Sequence, residues 1–117
     1  MNDCLFCSIV QGHTPADIVY QDEDVLAFRD IHPKAPVHVL VIPRKHVRGY
    51  RDAEEKDEAL LGRLARAAAS IAESEGTGAG GFRVVVNSGA DAGQSVDHLH
   101  LHVLGGAPMG WPPWPSG

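Results

Sequence analysis

Apolar and polar residues alternate along the first third of the chain in a way that marks short strands. Ile18–Gln21 and Val25–Asp30 are strand-like and flank the acidic turn Asp22-Glu23-Asp24, as a hairpin would. Val37–Pro43 follows, with His38, Leu40 and Ile42 on one face and Val37, Val39 and Val41 on the other. The period then changes. Leu60, Leu61, Leu64, Ala68, Ile71 and Ala72 recur at helical spacing, which predicts a long helix ending near Glu75. Asp52-Ala53-Glu54-Glu55 upstream has the D-x-x-E form of a capping box. Gly76 is placed to close the helix in a left-handed conformation. Phe82–Asn87 and His98–Leu104 are the last two strands. Hairpin-sized links around one helix predict an α+β fold with a mainly antiparallel sheet.

Composition narrows the class. A chain of 117 residues with 44% hydrophobic and 21% charged residues suits one domain over residues 1–117 rather than a disordered segment. A net charge of −5 argues against a nucleic-acid partner, although amides and histidines can still hold a phosphate. No stretch approaches the roughly 20 apolar residues of a membrane span. Met1-Asn2-Asp3 lacks the basic start of a signal peptide. The expectation is a soluble, cytoplasmic protein. Two cysteines, Cys4 and Cys7, cannot make a secreted disulfide scaffold. The histidine content stands out: there are seven, and three fall at 98, 100 and 102.

In a strand, His98, His100 and His102 share a face, while Leu99, Leu101 and Val103 point the other way to the core. Neighbouring histidines would lie roughly 6.7 Å apart along the strand, too far for all three to chelate one ion easily. Two chemistries fit. An H-x-H pair with a third ligand could hold a catalytic metal, or the middle imidazole could attack phosphorus while its neighbours orient it. The loop Gly89–Ser95 leads directly into this segment, and Gly93-Gln94-Ser95 offers amide and hydroxyl donors, which favours the phosphoryl reading. The alternative for that loop is an ordinary turn-rich connection. Gly76-Thr77-Gly78-Ala79-Gly80-Gly81 matches G-x-G-x-x-G in form only. It follows a helix and opens a strand, the reverse of a dinucleotide site, and reads as a flexible connector.

Gly93-Gln94-Ser95-Val96-x-His98-x-His100-x-His102-Val103-Leu104-Gly105-Gly106 resembles the signature of the histidine triad (HIT) family, and most of all its Hint branch of nucleoside phosphoramidate hydrolases. The likeness extends through Leu26-Ala27-Phe28-x-Asp30-Ile31-x-Pro33-x-Ala35-Pro36-x-His38, Val41-Ile42-Pro43-x-Lys45-His46 and the tail Met109-x-Trp111-Pro112-Pro113. It implies the HIT fold, a sheet of about five strands with one long helix, extended by homodimerisation. It implies hydrolysis of the P–N bond of purine nucleoside 5′-phosphoramidates through a nucleotidyl-histidine on His100. Two alternatives remain: dinucleoside polyphosphate hydrolysis, or a nucleotide-binding scaffold with weak catalysis. His102 would bind the phosphate, His38 would complete the polar network around His100, and Ser95 would stand near the leaving group.

Gly93, Gln94, Ser95 and Asn87 match phosphate-side positions, and Asp30 matches the ribose carboxylate, with a strand-end turn residue as its alternative. Leu5, Phe6, Ile9, Phe28 and Ile31 match the apolar slot for the purine, although such residues are more often core. Cys4, Cys7, His46 and His98 would complete a structural Cys₂His₂ zinc site, one ion per chain. A redox dithiol or unligated thiols are the rivals. Ala107, Pro108 and Gly110 depart from the longer polar residues usual in that branch, and the Trp/Pro tail of about 107–117 bears on amine-side specificity.

Overall fold

The computed structural model describes residues 4–113. Five strands form one antiparallel sheet: β1 (Ile18–Gln21), β2 (Val25–Arg29), β3 (Val37–Pro43), β4 (Phe82–Val86) and β5 (Leu101–Gly105), in the order β1-β2-β3-β5-β4. A short helix α1 (Leu5–Val10) precedes the sheet, and the long helix α2 (Glu58–Ser74) connects β3 to β4. The α+β expectation holds, with each predicted strand found within a few residues of its expected ends.

The two faces of the sheet are covered unequally. On one, α2 lays Leu64, Ala68, Ile71 and Ala72 over Val25, Ala27, Val39, Val41, Leu101 and Val103. On the other, Phe6 and Ile9 of α1 pack on Leu26, Phe28, Leu40 and Ile42. Strands β2 and β3 are therefore buried on both sides, which is why Val25–Phe28 and Val39–Pro43 run almost without a polar residue. Six residues of α1 cannot span the sheet. The face beyond it, carrying His38, His102 and Val85, remains open.

Three local expectations are corrected. Asp52 does not cap α2, because Ala53 is extended (φ −67°, ψ 140°) and separates two single 3₁₀ turns. The carboxylate that braces this entry is Asp57, which accepts from the Glu54 N–H at 2.9 Å and from Lys45 Nζ at 2.6 Å. The segment after α2 is not a loose connector: Gly76 takes φ +88° and the buried Thr77 donates its hydroxyl to Ala72 O at 2.9 Å. The ladder of the last strand begins only at Leu101, so His98 and His100 precede it, although the side-chain alternation expected of them persists. Helix α1 itself had no signature in the sequence pattern. It is under two turns long and its start is capped by a sulfur, Cys4 Sγ accepting from the Cys7 N–H at 3.3 Å.

Candidate active site and metal centre

His100 is buried against α1, its ring packed edge-on to Phe6 at 5.2 Å between centroids. Its Nδ1 lies 2.7 Å from the carbonyl oxygen of His98. A carbonyl can only accept, so Nδ1 carries the proton and the neutral ring keeps its lone pair on Nε2. His100 lines a cleft of about 270 Å³ together with Leu5, Phe6, Ile9, Phe28, Asp30, Ile31, Leu40, Ser95, Val96 and His102. The cleft is apolar at the α1 end and polar where His100, His102 and Ser95 meet.

A second main-chain group orders the next two rings. The Lys34 N–H donates to His38 Nδ1 at 3.0 Å. His38 must then hold its proton on Nε2, which donates to His102 Nδ1 at 2.9 Å. The remaining proton of His102 is thereby set on its own Nε2. Asp30 Oδ2 stands 3.5 Å from His38 Nε2, and its Oδ1 accepts from the His32 N–H at 2.8 Å. Burial lowers the pKa of His38 below its ordinary value, outweighing the pull of Asp30. Burial, then the neighbouring His100 and His38, brings His102 down to about 4. Both rings are neutral near pH 7. Asp30, His38 and His102 converge closely enough to suggest a metal site. The tautomer that Lys34 imposes puts a proton between the two rings, so the cluster is a hydrogen-bond chain. His38 thus bonds His102, whose ring lies 5.0 Å from that of His100.

The first histidine of the triad turns elsewhere. His98 is wholly buried; its Nε2–H donates to Pro43 O at 2.9 Å, which leaves the Nδ1 lone pair facing the thiols. That Nδ1 lies 3.3 Å from Cys4 Sγ and 3.5 Å from Cys7 Sγ, and His46 Nδ1 lies 3.2 Å from Cys7 Sγ. A tetrahedral ion bound at ordinary zinc distances would hold sulfur and nitrogen about 3.6 Å apart. The four donors fit that arrangement with little adjustment, and Cys4, Cys7, His46 and His98 form a candidate Cys₂His₂ metal centre. Burial pushes the Cys4 thiol up, a shift that a bound cation would reverse.

Other expected residues are placed less directly. Asn87 lines a second cleft with Ser95 and His102. The Gln94 side chain is occupied within its own loop: its Oε1 accepts from the Gly89 N–H, and its Nε2 donates to the carbonyls of Arg48 and Val96. Gln94 therefore braces the loop instead of presenting its amide to the cleft. Gly93 takes φ +82°, a left-handed turn that glycine accepts without strain. Phe6, Ile9 and Phe28 are core residues that show one edge to the cleft, whereas Ile31 is 84% exposed at its rim. The groups that sequence reasoning missed are mainly backbone atoms: Lys34 N, Pro43 O and His98 O. No residue type announces them.

Comparison with known proteins places this five-stranded antiparallel sheet and its long helix in one family. Residues 11–109 match the HIT domain. The chain is 50% identical over 111 residues to an uncharacterized HIT-like protein of Synechocystis sp., covering 95% of this chain and 96% of that one. It superposes on a HIT family hydrolase from Legionella pneumophila with a TM-score of 0.93 at 46% identity, over 96% of this chain and 100% of the other. A zinc-bound histidine triad family protein from Mycobacterium smegmatis matches with a TM-score of 0.75 at 34% identity, over 88% and 74% of the two chains. The chain belongs to the HIT family, with the fold of its hydrolases. Cys4 and Cys7 lie outside the stretch that matches the domain.

Proposed function

We propose that this HIT protein hydrolyses purine nucleoside 5′-phosphoramidates, releasing the nucleoside monophosphate and an amine. The observation that carries the reading is the 2.7 Å bond from His100 Nδ1–H to the His98 carbonyl, which leaves a nucleophilic lone pair on Nε2 at the wall of the cleft. The apolar end, formed by Leu5, Phe6, Ile9, Phe28 and Ile31, takes the purine, and Asp30 accepts the ribose hydroxyls. His100 Nε2 forms a bond to phosphorus as the P–N bond of the substrate breaks. The departing nitrogen keeps that electron pair and takes a proton, delivered from solvent through the Ser95 hydroxyl. His102 Nε2–H donates to a phosphate oxygen, with His38 holding it in place. Asn87 and the amides of Gly93 and Ser95 hold the same phosphate, while Gln94 keeps their loop in shape. Water then attacks phosphorus and the P–Nε2 bond breaks, restoring His100.

Cys4, Cys7, His46 and His98 hold one structural zinc per chain in this reading. Four protein donors leave no open position, so the ion supplies stability and fixes His98 rather than activating water. The 117 residues act as one HIT domain with a Trp/Pro tail from about 107; residues 114–117 of that tail lie outside those described. The working unit is a homodimer, for which the exposed apolar side chains of edge strand β4 supply a surface. Steady-state turnover of a fluorogenic adenosine phosphoramidate and of a dinucleoside polyphosphate tests the assignment. The phosphoramidate should be the better substrate, and His100→Ala should lower its kcat by at least about a thousandfold. Full activity in His100→Ala would refute the mechanism, and preference for the polyphosphate would refute the substrate.

A further inference from the structure

Two clefts meet at the triad, and only one contains the nucleophile. The first holds His100; the second, of about 370 Å³, shares Asp30, Ser95 and His102 with it but not His100. Displacement at phosphorus places the attacking and departing atoms roughly in line, on opposite sides of the reacting centre. With phosphorus held between His100 and the shared His102 and Ser95, the departing group points into the second cleft. The rest of that cleft is lined by His32, Lys34, His38, Val85, Asn87 and Leu104.

Lys34 is the cation in this cleft. Its Nζ donates to the His32 carbonyl at 3.2 Å, and among the described residues no carboxylate oxygen comes within ion-pairing distance of it. Arg29, Lys45, Arg48, Lys56 and Arg63 each pair with an acid, and Arg44, Arg51, Arg66 and Arg83, which among the described residues do not, lie outside this cleft. The acid in this cleft, Asp30, is already engaged by the His32 amide and stands beside His38. The main chain of Lys34 is anchored to His38 Nδ1, so the ammonium hangs from a fixed point beside the chain that leads to His102. A third cleft also borders Ser95, but it lacks His102, and its cation Arg48 is met by Asp97 at 3.8 Å.

We propose that the second cleft is a leaving-group subsite in which Lys34 binds an anionic group carried by the departing moiety. The proposal rests on the phosphoramidase reading and names the substrate class within it: amines that bear a carboxylate, as amino acids do. The carboxylate takes no part in bond making. His100 Nε2 bonds to phosphorus, the P–N bond breaks, and the amino acid leaves with its nitrogen protonated and its carboxylate still on Lys34. A phosphate leaving group would offer Lys34 the same negative oxygens.

The test compares kcat/KM for adenosine 5′-phosphoramidates of glycine and of ethylamine, with diadenosine triphosphate as a third substrate, in wild type, Lys34→Gln and Lys34→Arg. The glycine-to-ethylamine ratio should fall about tenfold in Lys34→Gln, the size of one charge-assisted hydrogen bond, and Lys34→Arg should restore it. A fall on the glycine compound alone assigns the carboxylate source; an equal fall on the triphosphate extends the subsite to phosphate. A ratio unchanged by Lys34→Gln, with both phosphoramidates turned over, overturns the Lys34 proposal and leaves the phosphoramidase reading standing. Wild type inert on both phosphoramidates overturns both.

Discussion

At the scale of single residues, main-chain atoms decide what each imidazole can do. His98 O holds the proton of His100 on Nδ1, Lys34 N holds that of His38 on Nε2, and Pro43 O turns the Nδ1 of His98 towards the thiols. Three histidines two positions apart thus have three different sets of partners. The depressed pKa of His102 has a consequence for stability. Held neutral down to about 4 against an ordinary 6.5, the folded state binds fewer protons than the unfolded chain between those values. Stability therefore rises with pH across that window and falls as pH drops from 6.5 towards 4. Urea midpoints measured from pH 7 to 4 should show this loss, to which the buried His38 and His98 contribute in the same direction, and His102→Gln should lessen it; an equally steep decline in the variant would show that His102 is not among its sources.

At the scale of elements, α1 is the part of the site tied most closely to the candidate metal centre. Six residues form no stable helix alone. Cys4 caps it, and Cys4 and Cys7 tie it to His98 and His46, while Phe6 closes over His100. Metal analysis should find about one zinc per chain, and Cys4→Ser should lower the melting temperature more than it lowers turnover. Protein prepared without chelators that contains no zinc would contradict this. The other end of the sheet is fitted closely: a Cβ added at Gly105 would lie 2.8 Å from the side chain of Thr77. Gly105→Ala should cost about 1–3 kcal/mol in chemical denaturation, and Leu64→Ala, which empties the seam between α2 and the sheet, about 2–5 kcal/mol.

Legibility in the sequence follows the same division. The Leu60–Ala72 periodicity was readable because it packs one regular face on the core, and Val37–Pro43 because it is a short, nearly continuous apolar run buried on both faces. The Asp52 box was misplaced because a pair of acids three residues apart recurs two residues on, reversed, as Glu54…Asp57, and only the extended Ala53 decides between them. Helix α1, too short for a periodic signal, was invisible, although its two cysteines were not. The bond from His38 to His102 was not legible, since it is fixed by the pairing of β3 with β5. The role of Lys34 was unreadable, because it begins with a backbone amide.

At the scale of the whole molecule, β4 ends the sheet and, among the described residues, pairs with no strand beyond β5. Strand β4 leaves Phe82 38% and Val84 41% exposed on the face that α2 covers further in. Arg83 donates to Gly110 O at 2.7 Å, which brings the start of the tail to that same edge. Such an edge is a template for pairing with another chain, and pairing with a second copy would satisfy it symmetrically. Sedimentation should report twice the 12.5 kDa chain mass, and Val84→Arg should shift the protein to the monomer. A wild-type monomer at micromolar concentration would remove the dimer from the account. Among the described residues, no helix is long and apolar enough to cross a membrane.

The central claim is that His100 Nε2 carries the nucleotidyl group between substrate and water. Acid or denaturant quenching within the first turnover of an adenosine phosphoramidate, followed by mass spectrometry of the digested protein, tests it most directly. An adenylyl adduct is expected on the peptide containing His100, localised to that ring and absent from His100→Ala. An adduct on another residue, or amine release at the wild-type rate in His100→Ala, would contradict it.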